Sequence, residues 1–256
     1  MTQNTFILAV ETSSRIGSVA IAFGGEMLTE TTFSSQMRHS AEIFPAIHSL
    51  LERFDRKPSQ IEHIYISGGP GSFTGLRIAT TLAKIMHLAN ATKIVTVDTL
   101  DVVAANVITL NAENNYSVSN HELPAISCNN IAVVLDAKRG QFFIAVYERN
   151  KGDKQQATRQ TIWRKILPDS LMTASQFIAR FACKDKPICL LGDGLVYYKD
   201  IFQADGIDFL DQMYWSPRAG KVHLLGWQMA LKEQFANPLT LTPKYLRKPD
   251  VTVKSR

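Results

Sequence analysis

The segment Ser67–Arg77, SGGPGSFTGLR, limits the fold more than any other stretch of the chain. It follows the apolar run Ile61–Ser67 and leads into the periodic run Phe73–Ala89, so a strand must turn sharply into a helix here. Gly69 and Gly71 let backbone or a ligand approach closely, and Ser72 or Thr74 can cap the new helix or bond an anion. Unpaired N–H groups at the start of such a helix favour negative charge, and Arg77 adds a cation one turn further on. A capped turn with no ligand uses the same residues, and the Gly-x-Gly-x-x-x-Gly spacing misses the dinucleotide fingerprint.

Strands and helices alternate around this turn. Phe6–Val10 reads as a buried strand, and Ile16–Phe23 and Glu26–Phe33 as a hairpin about Gly24-Gly25. Ser40–Phe54 predicts a helix with Ile43, Ile47, Leu50, Leu51 and Phe54 on one stripe and Pro45 near its start. The helix over 73–89 offers two faces. Ile78, Leu82, Ile85, Met86 and Ala89 suit packing on a sheet, and the smooth strip Gly75, Ala79, Ala83 suits another helix; the residues leave that choice open. Ile94–Val97 reads as a strand and Leu100–Leu110 as a third helix. The polar stretch 111–130 reads as a surface loop between lobes. Beyond it, Ile131–Leu135, Gln141–Tyr147 and Ile188–Leu191 predict strands, and Val222–Phe235 a late helix. The pattern predicts an α/β fold with a first lobe over 1–110 and a second over 111–216.

Several chemistries leave no trace. The closest two of the six histidines are nine apart (His39 and His48), so no local ligand pair exists and no metal is expected. There is no Gly-x-Ser-x-Gly elbow and no phosphate-binding Gly-x-x-x-x-Gly-Lys-Ser/Thr loop. Cys128, Cys183 and Cys189 form no Cys-x-x-Cys pair, which predicts three reduced thiols in a cytoplasmic protein. The opening residues carry no basic leader, so no signal peptide is expected, and no apolar run is long enough to cross a membrane. A net charge of +5 permits contact with nucleic acid without demanding it. Lys244, Arg247, Lys248, Lys254 and Arg256 face one acid, Asp250, in the last residues. At the end of the first strand, Glu11-Thr12-Ser13-Ser14 either caps a turn or holds magnesium-bound water near a phosphate. Glu11, Thr12, Gly69, Gly71, Ser72 and Thr74 are therefore the candidates for a nucleotide or anion loop.

Taken in order, FILAVETSSRIGSVAIA, RHSAEIFPAIHSLL, GGPGSFTGLRIATTLAKIMHLA, VDTL, LDAKRGQFFIAVY, GDG and PKYLR resemble the TsaB (YeaZ) family. The resemblance covers most of the chain and implies a two-lobed actin-like ATPase fold, of the sugar kinase and heat-shock chaperone superfamily. In that fold the segment from about 217 to 256 packs back on the first lobe. It further implies a non-catalytic accessory subunit that works beside a TsaD-like paralogue and a TsaE-like ATPase. That assembly transfers a threonylcarbamoyl group to the tRNA adenosine beside the anticodon.

Two departures fit an accessory role. TsaD-like chains carry a His-x-x-x-His metal motif where this chain has Val97-Asp98-Thr99-Leu100-Asp101-Val102-Val103, without histidine. The superfamily's Asp-x-Gly-x-Thr phosphate motif is here Glu11-Thr12-Ser13-Ser14, without the glycine. The family's partner contact, to TsaD or to a second copy when alone, maps to the segments His39–Phe54 and Thr74–Ala89. The interface candidates there are His39, Glu42, Ala46, Gly75, Arg77, Ala79 and Ala83, with exposed members favoured over deep ones. No cofactor is expected in the chain itself, and ATP or ADP would sit at the heterodimer seam. The rival activities are a metallopeptidase, which needs a metal, and a small-molecule kinase, which needs the altered phosphate motif to work.

Overall fold

The computed structural model describes residues 4–33, 39–108, 126–149 and 163–247. Within them, the first lobe holds strands β1 (Phe6–Glu11), β2 (Ser18–Phe23), β3 (Glu26–Thr32), β4 (His63–Gly69) and β5 (Lys93–Asp98). Its helices are α1 (His39–Arg53), α2 (Phe73–Asn90) and α3 (Thr99–Ala104). The second lobe holds β6 (Asn130–Asp136), β7 (Gln141–Arg149), β8 (Trp163–Thr173), β9 (Ile188–Leu191) and β10 (Ile207–Phe209), with α4 (Ala174–Phe181) and α5 (Leu195–Tyr198). The late helix α6 (Ala219–Leu231) follows.

The two sheets share one plan. The first has the order β3-β2-β1-β4-β5, in which β1 to β3 run antiparallel and β4 and β5 continue parallel to β1. The second has β8-β7-β6-β9-β10 with the same directions. One topology is thus used twice, although no repeat is visible in the sequence. This is the two-lobed α/β arrangement that the resemblance implied.

The period of two along β1 explains the layers. Phe6, Leu8 and Val10 point into a core shared with α1 and α2, whereas Ile7 and Ala9 point into one shared with α6. Both faces of the central strand are covered, which is why FILAVE is buried throughout. Because α6 packs on β1, β2, β4 and β5, the late helix closes the first lobe rather than the second. Short α3 lies between the lobes. Its Val102 joins the α6 core, while Leu100, Val103 and Ala104 join the core of the second lobe.

The structure departs from the sequence reading in four places. The helix expected over Leu100–Leu110 ends at Ala104 and passes into turns. Strand β8 and helix α4 fill a region where no element was predicted. Cys128 and Cys189 are joined in a disulfide, correcting the expectation of three thiols. The reason is that parallel β6 and β9 are neighbours, so residues 61 apart in sequence meet, while Cys183 is free and exposed. The fourth departure is the rotation of α2, which bears on the site below. The inter-lobe loop at 111–125, and Lys248, Asp250, Lys254 and Arg256, lie outside the described residues. Among the described residues no helix is long and apolar enough to cross a membrane.

Candidate functional site

Strands β1 and β4 run parallel and adjacent, so their ends bring Glu11 and Ser67 together. The Ser67 hydroxyl donates to Glu11 Oε2, and both the amide and the hydroxyl of Ser13 donate to Oε1 at 2.5 Å. Burial pushes the Glu11 pKa up; the hydrogen bonds from Ser13 and Ser67 work against it, and nearby Asp193 adds to it. Thr12 donates its hydroxyl to the Gly75 carbonyl at 2.8 Å, and the Ser72 amide donates to the Ser13 carbonyl at 2.6 Å. That carbonyl sits directly against Gly71, where a Cβ would collide with it. Ser72 caps α2 by accepting from the Gly75 amide at 3.3 Å.

The structure therefore brings Glu11, Thr12, Gly71 and Ser72 to one turn beside Gly69, and Glu11, Thr12 and Ser72 spend polar groups on Ser13, Ser67 and Gly75. Thr74 stands apart, exposed on the first turn of α2. Gly69 has φ +112° and lies under the Lys244 carbonyl, 2.6 Å from where a Cβ would be, so the glycine serves a chain crossing.

The helical candidates divide differently. His39 opens α1, but its side chain lies outside the described residues. Glu42 and Ala46 are half-buried on α1, and Arg77 is exposed on α2. Its guanidinium lies 3.8 Å from the Phe73 ring centre, and its Nε donates to the Tyr245 hydroxyl at 3.4 Å. Gly75, Ala79 and Ala83 are all buried, the two alanines in the core that α2 shares with the first-lobe sheet, and this corrects their assignment to a partner surface. Small side chains let α2 lie close to the strands, so the helix turns its smooth strip inward. Two long apolar residues face outward instead: Ile85 is 54% exposed and Leu88 81%. On neighbouring α1, Phe44 is 59% exposed. Sequence reasoning placed Ile85 on the packed stripe and passed over Phe44 and Leu88.

A third cluster had no signal in the sequence. Asp98 and Asp101 of the first lobe meet Tyr147, Lys165 and Asp169 of the second and Lys244 of the C-terminal segment. Lys165 Nζ lies 2.6 Å from Asp169, 2.8 Å from Asp101 and 3.8 Å from Asp98. Lys244 Nζ lies 2.9 Å from Asp98 and 2.7 Å from Asp169, and the Tyr147 hydroxyl donates to Asp101 at 2.6 Å. Burial, then the hydrogen bond and charge of Asp169, push Asp98 up to about 7 against the pull of Lys165 and Lys244. Burial opposes the charged form of Asp169 too, but its hydrogen bond with Asp98 and the two lysines hold its pKa below the usual value. The two acids are thus pushed to opposite sides of the ordinary carboxylate range, Asp98 above it and Asp169 below. The cluster borders an inter-lobe cavity of about 640 Å³ whose walls include Trp163, Leu225 and Met229. A second cavity of about 420 Å³ lies between Ser13–Phe73 on one side and Asp136–Arg139 on the other.

Metal ligands were sought across the same residues. Histidines 48, 63, 87 and 223 each contact a different partner: Glu52, Tyr65, the Thr92 carbonyl and the Gly24 carbonyl. Among the described residues one group could hold an ion, the sulfurs of Cys128 and Cys189 with the Asp208 carboxylate. With those sulfurs bonded to each other, a single carboxylate remains to offer a charged ligand atom.

Comparison with known proteins bears on the same residues. Residues 28–254 match the family TsaD, tRNA N6-adenosine threonylcarbamoyltransferase. The tRNA threonylcarbamoyladenosine biosynthesis protein TsaB of Bacillus subtilis is 27% identical over 252 residues, covering 97% of this chain and 96% of that protein. The Escherichia coli protein of the same description is 21% identical over 241 residues, 94% of each chain. YeaZ from Pseudomonas aeruginosa superposes with a TM-score of 0.70 at 19% identity, covering 94% of this chain and all of that one, so it has the same fold. On the extent of the family match, with the glycine turn of β4 and α2 inside it, the chain belongs to the TsaD, tRNA N6-adenosine threonylcarbamoyltransferase, family, and it is similar over nearly its whole length to proteins described as TsaB.

Proposed function

We propose that the chain is a non-catalytic scaffold and activator in threonylcarbamoyladenosine biosynthesis, pairing with a TsaD-like paralogue and serving a complex that includes a TsaE-like ATPase. The observation that carries this reading is the outer side of α1 and α2, where Phe44, Ile85 and Leu88 expose large apolar surface on adjacent helices. Such side chains gain most by burial against another protein. The proposed face also contains Arg77 and the half-buried Glu42 and Ala46. A second copy would use the same face when the paralogue is absent.

The strand-end cluster supports the non-catalytic part. Glu11, Thr12, Ser13 and Ser72 are committed to internal hydrogen bonds, which leaves their polar groups little freedom to handle a phosphate. The reading assigns no cofactor to the chain itself and places ATP or ADP at the seam with the paralogue. It also places the protein in the cytoplasm, with tRNA reached through the complex.

Reconstitution tests it. The purified chain, given tRNA and threonylcarbamoyl-adenylate, is expected to transfer nothing alone, and to restore transfer when added to the TsaD-like and TsaE-like proteins. Equal transfer without it would end the assignment.

A further inference from the structure

The segment Thr242–Arg247 belongs to no helix or strand, yet it reaches both lobes. Just before it, Leu241 is buried in the first-lobe core beside α2. The Lys244 amide donates to the Gly68 carbonyl at 2.7 Å, and the Lys244 carbonyl presses on Gly69. The Tyr245 ring sits 4.8 Å from that of Phe73. On the far side, Leu246 packs against the second-lobe core, and Arg247 Nη1 donates to the carbonyls of Ala137 at 2.9 Å and Lys138 at 3.3 Å. Between these anchors, the Lys244 ammonium is held by Asp98 of one lobe and Asp169 of the other.

Open space borders this segment on both sides. Cavities of about 640 and 420 Å³ flank it, and Lys244 lines both. The Lys244 side chain is 44% exposed, and Tyr245 is 37% exposed. A segment with few buried apolar contacts, solvent on either side and partly exposed ion pairs belongs to the low-stability end of a structure. Two other connections between the lobes are of the opposite kind: the apolar residues of α3 are divided between the two cores, and the crossing from β10 to α6 buries Trp215 in the second-lobe core before Ala219 enters the first.

We propose that Thr242–Arg247 is a releasable strap. Docked, it ties the lobes together through Lys244 and divides the inter-lobe cleft into two cavities. Released, it leaves α3 and the β10-to-α6 crossing as the hinge and opens the two cavities into one. The inference goes beyond the partner reading and does not depend on it: the strap meets the proposed face only where the Tyr245 hydroxyl accepts from Arg77, and it touches none of Phe44, Ile85 or Leu88.

Hydrogen exchange in the full chain tests the strap directly, with the Lys244 amide as reporter. Lys244→Met removes the clamp between the two carboxylates, and Arg247→Ala removes the second-lobe anchor. Each is expected to speed exchange at the residue-244 amide about tenfold, the equivalent of roughly 1.4 kcal/mol, while amides of β1 and β4 exchange at the wild-type rate. Unchanged exchange at Lys244 in either variant overturns the proposal. So does acceleration of equal size in the strap and in β1, because it would show that the segment opens only when the whole fold does.

Discussion

The strand-end turn leads directly into α2, yet the turn and the outer side of α1 and α2 spend their side chains in opposite ways. At the turn, residues that carry chemistry elsewhere are sealed. Glu11 is fully buried and bonded to Ser13 and Ser67, Thr12 is bonded to Gly75, and a side chain at Gly71 would collide with the Ser13 carbonyl. On the helices, residues that ordinarily build cores face solvent, as Ile85, Leu88 and Phe44 do. Polar groups turned inward and apolar groups turned outward suit a protein that acts by docking.

That contrast can be broken by substitution. Ala79→Glu places a carboxylate in the packed interface of α2 with the sheet, where nothing balances it, and is expected to cost about 4 kcal/mol of stability. Urea denaturation would measure the loss. A variant as stable as wild type would restore Ala79 to the surface. Gly71→Val forces a side chain onto the Ser13 carbonyl and should cost about 3 kcal/mol, read in the same way. If it cost nothing, the turn would be loose enough to admit a ligand, and the contrast would weaken.

A smaller effect comes from the inter-lobe acids. The Asp98 pKa is raised from 3.8 to about 7, so its contribution to stability is full below about 4 and is lost as pH rises to about 7. The slope is at most roughly 1.4 kcal/mol per pH unit, reduced by solvent and by the nearby lysines. Asp169 is shifted the other way, and its contribution is lost only below its usual range, outside that window. Denaturation of wild type and Asp98→Asn between pH 5 and 8 should show the fall in wild type and a flatter profile in the variant. Parallel profiles would remove Asp98 as the source of the fall.

Much of the first lobe is legible in the sequence because its signals are local. The apolar run of β1, the Gly24-Gly25 hairpin, the stripe on α1 and the glycine turn into α2 each announce themselves within about ten residues. The phase of α2 does not. The helix carries two candidate faces, and closeness to the sheet, rather than hydrophobicity, decides that Ala79 and Ala83 go inward while Leu88 goes out. Strand β8 hides because Pro168 interrupts a half-polar run, a residue tolerated there because β8 is an edge strand. Helix α4 did leave a signal, the Thr173–Gln176 capping box, which sequence reading passed over. The ion cluster and the Cys128–Cys189 bond left none, since their members come together only through the order of strands.

The central claim is that the exposed side of α2 docks a partner, and one titration reaches it most directly. Calorimetry of the TsaD-like paralogue against wild type and Leu88→Glu should show at least a 100-fold loss of affinity in the variant, in the range of a hot-spot residue. Stability should stay within about 0.5 kcal/mol, because the side chain is exposed. Undiminished affinity in a folded Leu88→Glu protein would contradict the account.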